Sequence, residues 1–280
     1  MDIFPELLRR ETRSRMKLTL VSPIVAAVLC GSTFAEPLHV SANPSTHSAA
    51  CAAPSDLTHL DYPLTQTAKR VTGGEPIKLV AIGSSSTAGM GASSPAASYP
   101  SRLAAELQRS LPHNSITVLN RGSNGEEARE MVARFERDVI SEYPDLVLWQ
   151  VGTNVVLRDH PLEPQASLLH EGLSRLRAIG SDVILIDPQF APKVLAKSEI
   201  AEMIDLIATT ARIEKVGVFH RFAIMRYWRL EGGVPFADFL SADQLHMNDW
   251  SYDCLAKLLS NSIVVAATRT ESSPSSKHDR

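Results

Sequence analysis

The sequence predicts an α/β fold: a three-layer α/β/α sandwich in which a doubly wound, mainly parallel five-stranded sheet lies between helices. Two observations carry that expectation. Strand-like and helix-like segments alternate along the chain, the pattern of βα units. The strands are apolar along their whole length, as in a parallel sheet covered on both faces. A chain of 280 residues with 44% hydrophobic content is also long and apolar enough for one sizeable core with extensions.

The N-terminus differs from the rest. A basic segment leads into an apolar run, Leu18 to Leu29, and then into small residues ending at Ala35. This is the layout of a secretory signal, with cleavage expected after "TFA". The apolar run falls short of the about 20 residues that span a bilayer. Met16 opens a more typical signal than Met1, and Leu29 before Cys30 argues against lipidation. Residues 36–55 are rich in Ala, Ser, Pro and His and read as a flexible linker. Two cysteines remain beyond the signal, Cys51 and Cys254; an oxidising compartment permits them to pair, and two unpaired thiols are an equally good reading.

The folded part, 56–268, then follows element by element. "LTQTAKRV" places Leu64, Ala68 and Val71 on one helical face. "GGEP" breaks that helix before a strand from Ile77 to Ile82. "SYPSRLAAELQRSL" is helical, with Leu103, Leu107 and Leu111 on one face. Further pairs follow: "SITVLN" with a helix over "EEAREMVARFERDVISEY", "DLVLWQVG" with "QASLLHEGLSRLRAIG", "DVILID" with "SEIAEMIDLIATTARIEK", and "VGVFH" with "FAIMRYWRL". A helix from about Asp249 to Ala267 closes the domain, and 269–280 is a polar tail expected to be disordered.

In such a sheet, chemistry gathers at loops after the carboxyl ends of the strands. Those loops are "GSSSTAG", "NRGSNGEE" and "GTNV", and "SADQLHMND" stands before the last helix. They supply a hydroxyl, turns able to aim N–H groups, a side-chain amide and an Asp-x-x-His pair. These are the parts of an acyl-transfer site.

The four segments, in this order from about Ile77 to Ala267, resemble the blocks of the SGNH hydrolases, the GDSL-like esterases and lipases. The resemblance implies a flavodoxin-like form of the sandwich and a serine esterase. It gives Ser85 the nucleophile's position, Gly125 and Asn154 the oxyanion hole together with the Ser85 N–H, and Asp243 and His246 the carboxylate and base. Three residues depart from the family pattern: Ser84 replaces an acidic residue before the nucleophile, Val155 one after "GTN", and Met247 the proline after His246. Water as acyl acceptor makes an esterase acting on O-acyl esters, acetyl or other short chains, on carbohydrate or small molecules. A sugar hydroxyl as acceptor makes an acyltransferase on envelope glycan. A glycan-binding module that keeps the fold without catalysis is the reading from another class.

Other residues compete for these roles. Ser84 is the main rival for the hydroxyl, since neighbours on an extended segment point opposite ways. "DLTH", Asp56 to His59, repeats the Asp-x-x-His spacing upstream of the first strand; His160 and Asp159 lie near the active edge. His113, His170 and His220 read as surface or helix-end residues, and Trp149 and Trp228 as packing, with Trp228 near enough to line a pocket.

No cofactor is expected. The glycines of "STAGMGASS" leave the dinucleotide pattern incomplete, the second strand ends in Asn120 rather than an acidic residue, and no phosphate-loop Gly-Lys-Ser/Thr occurs. Metal-type Cys/His spacing is missing as well. A net charge of −3 with scattered Lys and Arg argues against nucleic-acid binding. With the signal removed, stable membrane insertion is not expected, and the compartment is periplasmic or extracellular.

Overall fold

The computed structural model describes residues 51–269; the expected signal, the linker up to residue 50 and the polar tail from residue 270 lie outside the described residues. Five strands form one parallel sheet in the order β2–β1–β3–β4–β5: β1 (Ile77–Gly83), β2 (Ile116–Gly122), β3 (Leu146–Gln150), β4 (Asp182–Ile186) and β5 (Gly217–Phe219). Val80 pairs with Leu119 on one side and Val147 on the other, and Leu148 pairs with Ile184. β1 and β3 are fully buried but for Lys78, as their apolar sequences require. β2 is the exception to burial on both faces: it is an edge strand with one neighbour, and all its residues are half-buried or exposed.

Among the described residues the helices are α1 (Thr65–Gly73), α2 (Ser85–Ala88), α3 (Tyr99–Ser110), α4 (Ala128–Ala133), α5 (Phe135–Asp138), α6 (Thr153–Leu157), α7 (Gln165–Ala178), α8 (Pro192–Leu195), α9 (Ile200–Glu214), α10 (Arg221–Leu230), α11 (Phe236–Phe239) and α12 (Asp249–Thr268); a helical turn, Ser55–Thr58, precedes them. α3 packs against α12, whereas α7 packs against α4 and α9. Crossovers are right-handed, so the helix of a β1-to-β2 move and that of a β3-to-β4 move lie on opposite faces. Each buries an apolar stripe: Leu103 and Leu107 on α3, Leu169, Leu173 and Leu176 on α7, Leu255, Leu259 and Ile263 on α12. Burying each such side chain contributes about 1.5–3 kcal/mol before entropy is counted. Trp149 and Trp228 are fully buried, Trp149 edge-to-face on Phe135 at 5.0 Å and Trp228 on Trp250 at 5.3 Å, so both serve packing.

The single helix expected over "EEAREMVARFERDVISEY" is broken into α4, α5 and the 3-10 turn Ile140–Glu142. Arg134 leaves helical geometry at φ −106°, ψ 7°. Its largely buried guanidinium is drawn to Glu126 (2.7 Å), Asp138 (2.9 Å) and the Arg121 carbonyl (2.8 Å). A buried cation needs such partners more than the helix needs one more regular turn.

Cys51 and Cys254 form a disulfide with Cα atoms 5.3 Å apart, settling the choice the sequence leaves open. The bridge fastens the segment before α1 to α12 and links positions 203 residues apart. Replacing both cysteines with alanine is expected to cost about 2–4 kcal/mol, because the unfolded chain regains the freedom that the crosslink removes. In a domain of this size that lowers Tm by roughly 5–15 °C. Calorimetry of the variant beside the reduced and oxidised parent checks it; an unchanged Tm would show that the crosslink adds nothing.

Candidate active site

Between β1 and β3 the strand order reverses, since the chain leaves β1 for β2 on one side and returns to β3 on the other. The crevice outside the carboxyl ends of these strands is where open α/β sheets bind ligands. The serine-rich turn sits there. β1 ends at Gly83 and α2 begins at Ser85, leaving one residue for the bend. Ser84 turns inward: its N–H and its hydroxyl both donate to Oε1 of Gln150, at 2.9 and 3.0 Å. Ser86 is buried too, and of the three serines only Ser85 has partial exposure. Ser84 is therefore committed to the sheet, and Ser85 presents the hydroxyl.

The second half of the site is a six-residue turn before α12. The Ser241 N–H donates to the His246 carbonyl at 2.8 Å and closes the turn, which Gln244 threads at φ +58°. Asp243 organises it from inside. Its Oδ1 accepts from the Ser241 hydroxyl (2.7 Å) and from the N–H groups of Leu245 and His246 (2.9 Å each). Its Oδ2 meets His246 Nδ1 at 2.5 Å. Burial pushes the Asp243 carboxyl up, but the hydrogen bonds from His246, Ser241 and Leu245 outweigh it and hold the group well below the usual carboxylate range.

The other imidazole nitrogen, His246 Nε2, lies 2.8 Å from Ser85 Oγ, across 161 residues of sequence. With Nδ1–H donated to an ionised carboxylate, Nε2 is the acceptor for the serine proton. Gly91 makes the approach feasible: a Cβ there would stand 2.3 Å from the Met247 carbonyl oxygen. Asp249, at the start of α12, accepts from the N–H and hydroxyl of Ser93 at 2.7 and 2.5 Å, and the Tyr252 hydroxyl donates to the Met90 carbonyl at 2.7 Å. The loop after Ser85 is thus laced to the helix after His246.

Gly125 and Asn154 are brought to one another. Asn154, the second residue of α6, donates through Nδ2 to the Glu126 carbonyl at 2.8 Å, next to Gly125, whose φ is +77°. An amide NH₂ has two donors, so one N–H fixes this loop and the other is available to a substrate oxygen. The Arg134 network holds the same loop from below through Glu126.

The competing residues are engaged elsewhere. His160 pairs with Glu127 at 2.9 Å and Asp159 with Lys197 at 2.5 Å. Asp56 is exposed in the helical turn before α1, and His59 meets Arg269 at 3.2 Å. His170 pairs with Glu214 at 2.5 Å. His220 stands at the N-cap position of α10, and the Asp187 carboxylate, 3.6 Å from its Nδ1, raises its pKa against the opposing effect of burial. The three departures from the family pattern have physical counterparts. Ser84 is fixed by Gln150, Val155 is buried among apolar side chains, and Met247 is buried and bridged to Leu240. Gln150 is the supporting residue that the sequence reading passed over; its signal was one polar side chain ending the apolar run "DLVLWQ". Among the described residues no cluster of His, Cys, Asp and Glu could hold a metal ion.

The model of the non-GDSL lipase-like family matches residues 50–269. A curated acetylxylan esterase of Geobacillus stearothermophilus is 41% identical over 56 residues, which are 20% of this chain and 26% of that protein. Among solved structures, a two-domain esterase active on acetylated mannans, crystallised with mannopentaose, superposes with a TM-score of 0.62 at 20% identity. The alignment covers 76% of this chain and 56% of that one. A variant of an acetyl xylan esterase from Geobacillus stearothermophilus superposes with a TM-score of 0.58 at 22% identity, covering 68% of this chain and 96% of the other. The matches thus span about a quarter of the curated relative and just over half of the two-domain esterase, and the structural likenesses establish a shared fold.

Proposed function

The chain belongs to the non-GDSL lipase-like family, and from that premise we propose that it is an exported serine esterase that removes short acyl groups, acetyl foremost, from carbohydrate hydroxyls. One observation carries the reading: Asp243, His246 and Ser85 stand in a continuous line of hydrogen bonds, 2.5 Å and then 2.8 Å. Relatives narrow the substrate class, since those matched above act on acetylated xylan or acetylated mannans. In the Geobacillus enzyme, an Asp→Ala and a His→Ala variant three positions apart were solved as catalytic mutants, the spacing of Asp243 and His246 here. The order of the four loops also resembles that of the SGNH hydrolases, which supports the reading.

The steps follow from the geometry. His246 Nε2 takes the proton as Ser85 Oγ attacks the ester carbonyl, and the imidazolium formed is stabilised by ionised Asp243. The oxyanion is met by the Ser85 and Gly125 N–H groups and the free N–H of Asn154. His246 returns the proton to the leaving sugar alcohol. Water then attacks the acyl-enzyme with His246 again as base, releasing the acid and freeing Ser85.

Replacing Asn154 by alanine is expected to lower kcat by roughly 10²- to 10³-fold with little change in KM, since the amide acts where negative charge develops. Steady-state kinetics check it, and a change confined to KM would remove Asn154 from the oxyanion hole. The export reading rests on the N-terminal sequence; the disulfide suits an oxidising compartment.

The deciding experiment is a screen of the mature protein against acetylated xylo- and manno-oligosaccharides, with and without a sugar acceptor. Acetate release supports the esterase. Transfer to the acceptor makes the protein an acyltransferase using the same site. No turnover together with no labelling by a fluorophosphonate would overturn the enzyme reading and leave a glycan-binding module.

A further inference from the structure

Behind the site lies a buried polar group for which the chemistry above has no use. Gln189 follows β4, is 1% exposed, and its side-chain amide touches three other segments of the chain. Its Oε1 accepts from the hydroxyl of Thr153 at 3.0 Å and from Nη2 of Arg221 at 2.9 Å. Its Nε2 donates to the carbonyl of Leu245 at 3.4 Å. Thr153 immediately precedes Asn154, and Leu245 immediately precedes His246. A single amide therefore joins the loop carrying the oxyanion-hole side chain to the turn carrying the base.

Arg221 sets the direction of that amide. Its side chain is fully buried, and its Nε donates to the Asp187 carbonyl at 2.9 Å. A guanidinium only donates, so it must face the oxygen of Gln189 and turns the NH₂ toward Leu245. The Asp187 carboxylate accepts from the Phe222 N–H at 2.8 Å, which ties the start of α10 into the same knot. Arg221 Nη1, by contrast, meets no hydrogen-bond partner among the described residues. Burying a guanidinium is costly unless its hydrogen bonds repay it, and the bonds it makes here fix an orientation.

We propose that Gln189, oriented by Arg221, is a positioning residue that holds Asn154 and His246 in mutual register by bridging Thr153 to Leu245. The inference rests on the esterase reading of the site. Misplacing a catalytic group by as little as an ångström costs orders of magnitude in rate, and these two loops have no connection through a common strand. The bridge acts on the transition state rather than on substrate binding.

Thr153 gives a test that packing alone would answer differently. Thr153→Val keeps the shape and loses the hydroxyl, and is expected to lower kcat roughly tenfold with KM within about twofold. Thr153→Ser keeps the hydroxyl and loses a methyl, and is expected to cost far less. The opposite order would assign Thr153 to packing and overturn the bridge. Gln189→Leu, read by hydrogen exchange and mass spectrometry, is expected to speed exchange in both 153–158 and 241–248. Acceleration in one segment only, or in neither, would also overturn it. Should the unaltered protein turn over no ester, the functional reading falls, while the exchange measurement still decides whether the bridge exists.

Discussion

Ser85→Ala is expected to abolish labelling by a fluorophosphonate and to lower ester turnover on the order of 10⁶-fold, the loss typical of removing a triad nucleophile. The argument begins with the three serines after β1. Two are buried, and Ser84 spends its hydroxyl on Gln150. Only Ser85 faces an imidazole, at 2.8 Å. Ser84→Ala should keep the backbone bond to Gln150 and lose about tenfold at most, the order of one neutral hydrogen bond. Peptide mapping of the labelled protein makes the comparison direct. A label on Ser84 would shift the register of the turn by one residue and contradict the geometry.

The second large effect belongs to the base turn. His246→Ala is expected to cost about as much as Ser85→Ala, since the hydroxyl then has no proton acceptor, and Asp243→Ala about 10⁴-fold, because the imidazole loses its tautomer and its orientation. Asp56→Ala, at an exposed position in the other Asp-x-x-His, should leave kcat/KM within about twofold. Equal damage from Asp56→Ala and Asp243→Ala would make "DLTH" the working pair. The depressed carboxyl of Asp243 adds a pH signature. A carboxylate whose folded pKa is lowered contributes stability above its unfolded value, near 4, and loses it as pH falls through the lower folded value. Asp243 thus stays ionised through mild acidification, and the stability it contributes is lost only in strong acid, which acid unfolding of the parent beside Asp243→Ala checks.

The sheet was legible because buried parallel strands must be apolar throughout, and "IKLVAIG", "DLVLWQ" and "DVILI" obey that rule. β2 obeys it less well because an edge strand has only one covered flank. The break at Arg134 was not legible, since it depends on Glu126, Asp138 and a carbonyl of β2 converging on one guanidinium. A family resemblance pointed to Ser85 and His246, but no local signal in the sequence joins them. That contact exists only after the sheet and α12 have formed. Gln150 and Gln189 lay further out of reach, because a glutamine in sequence does not disclose which loops its amide will bridge.

The turn from Ser241 to His246 is closed by its own backbone and braced by its own aspartate. On the proposed esterase reading it is a cassette that keeps base and orienting acid together. On that reading, changes at side chains outside the turn would alter substrate preference without retuning the proton chemistry within it. A designer seeking a new acyl or sugar preference would vary exposed side chains outside the cassette and leave it whole.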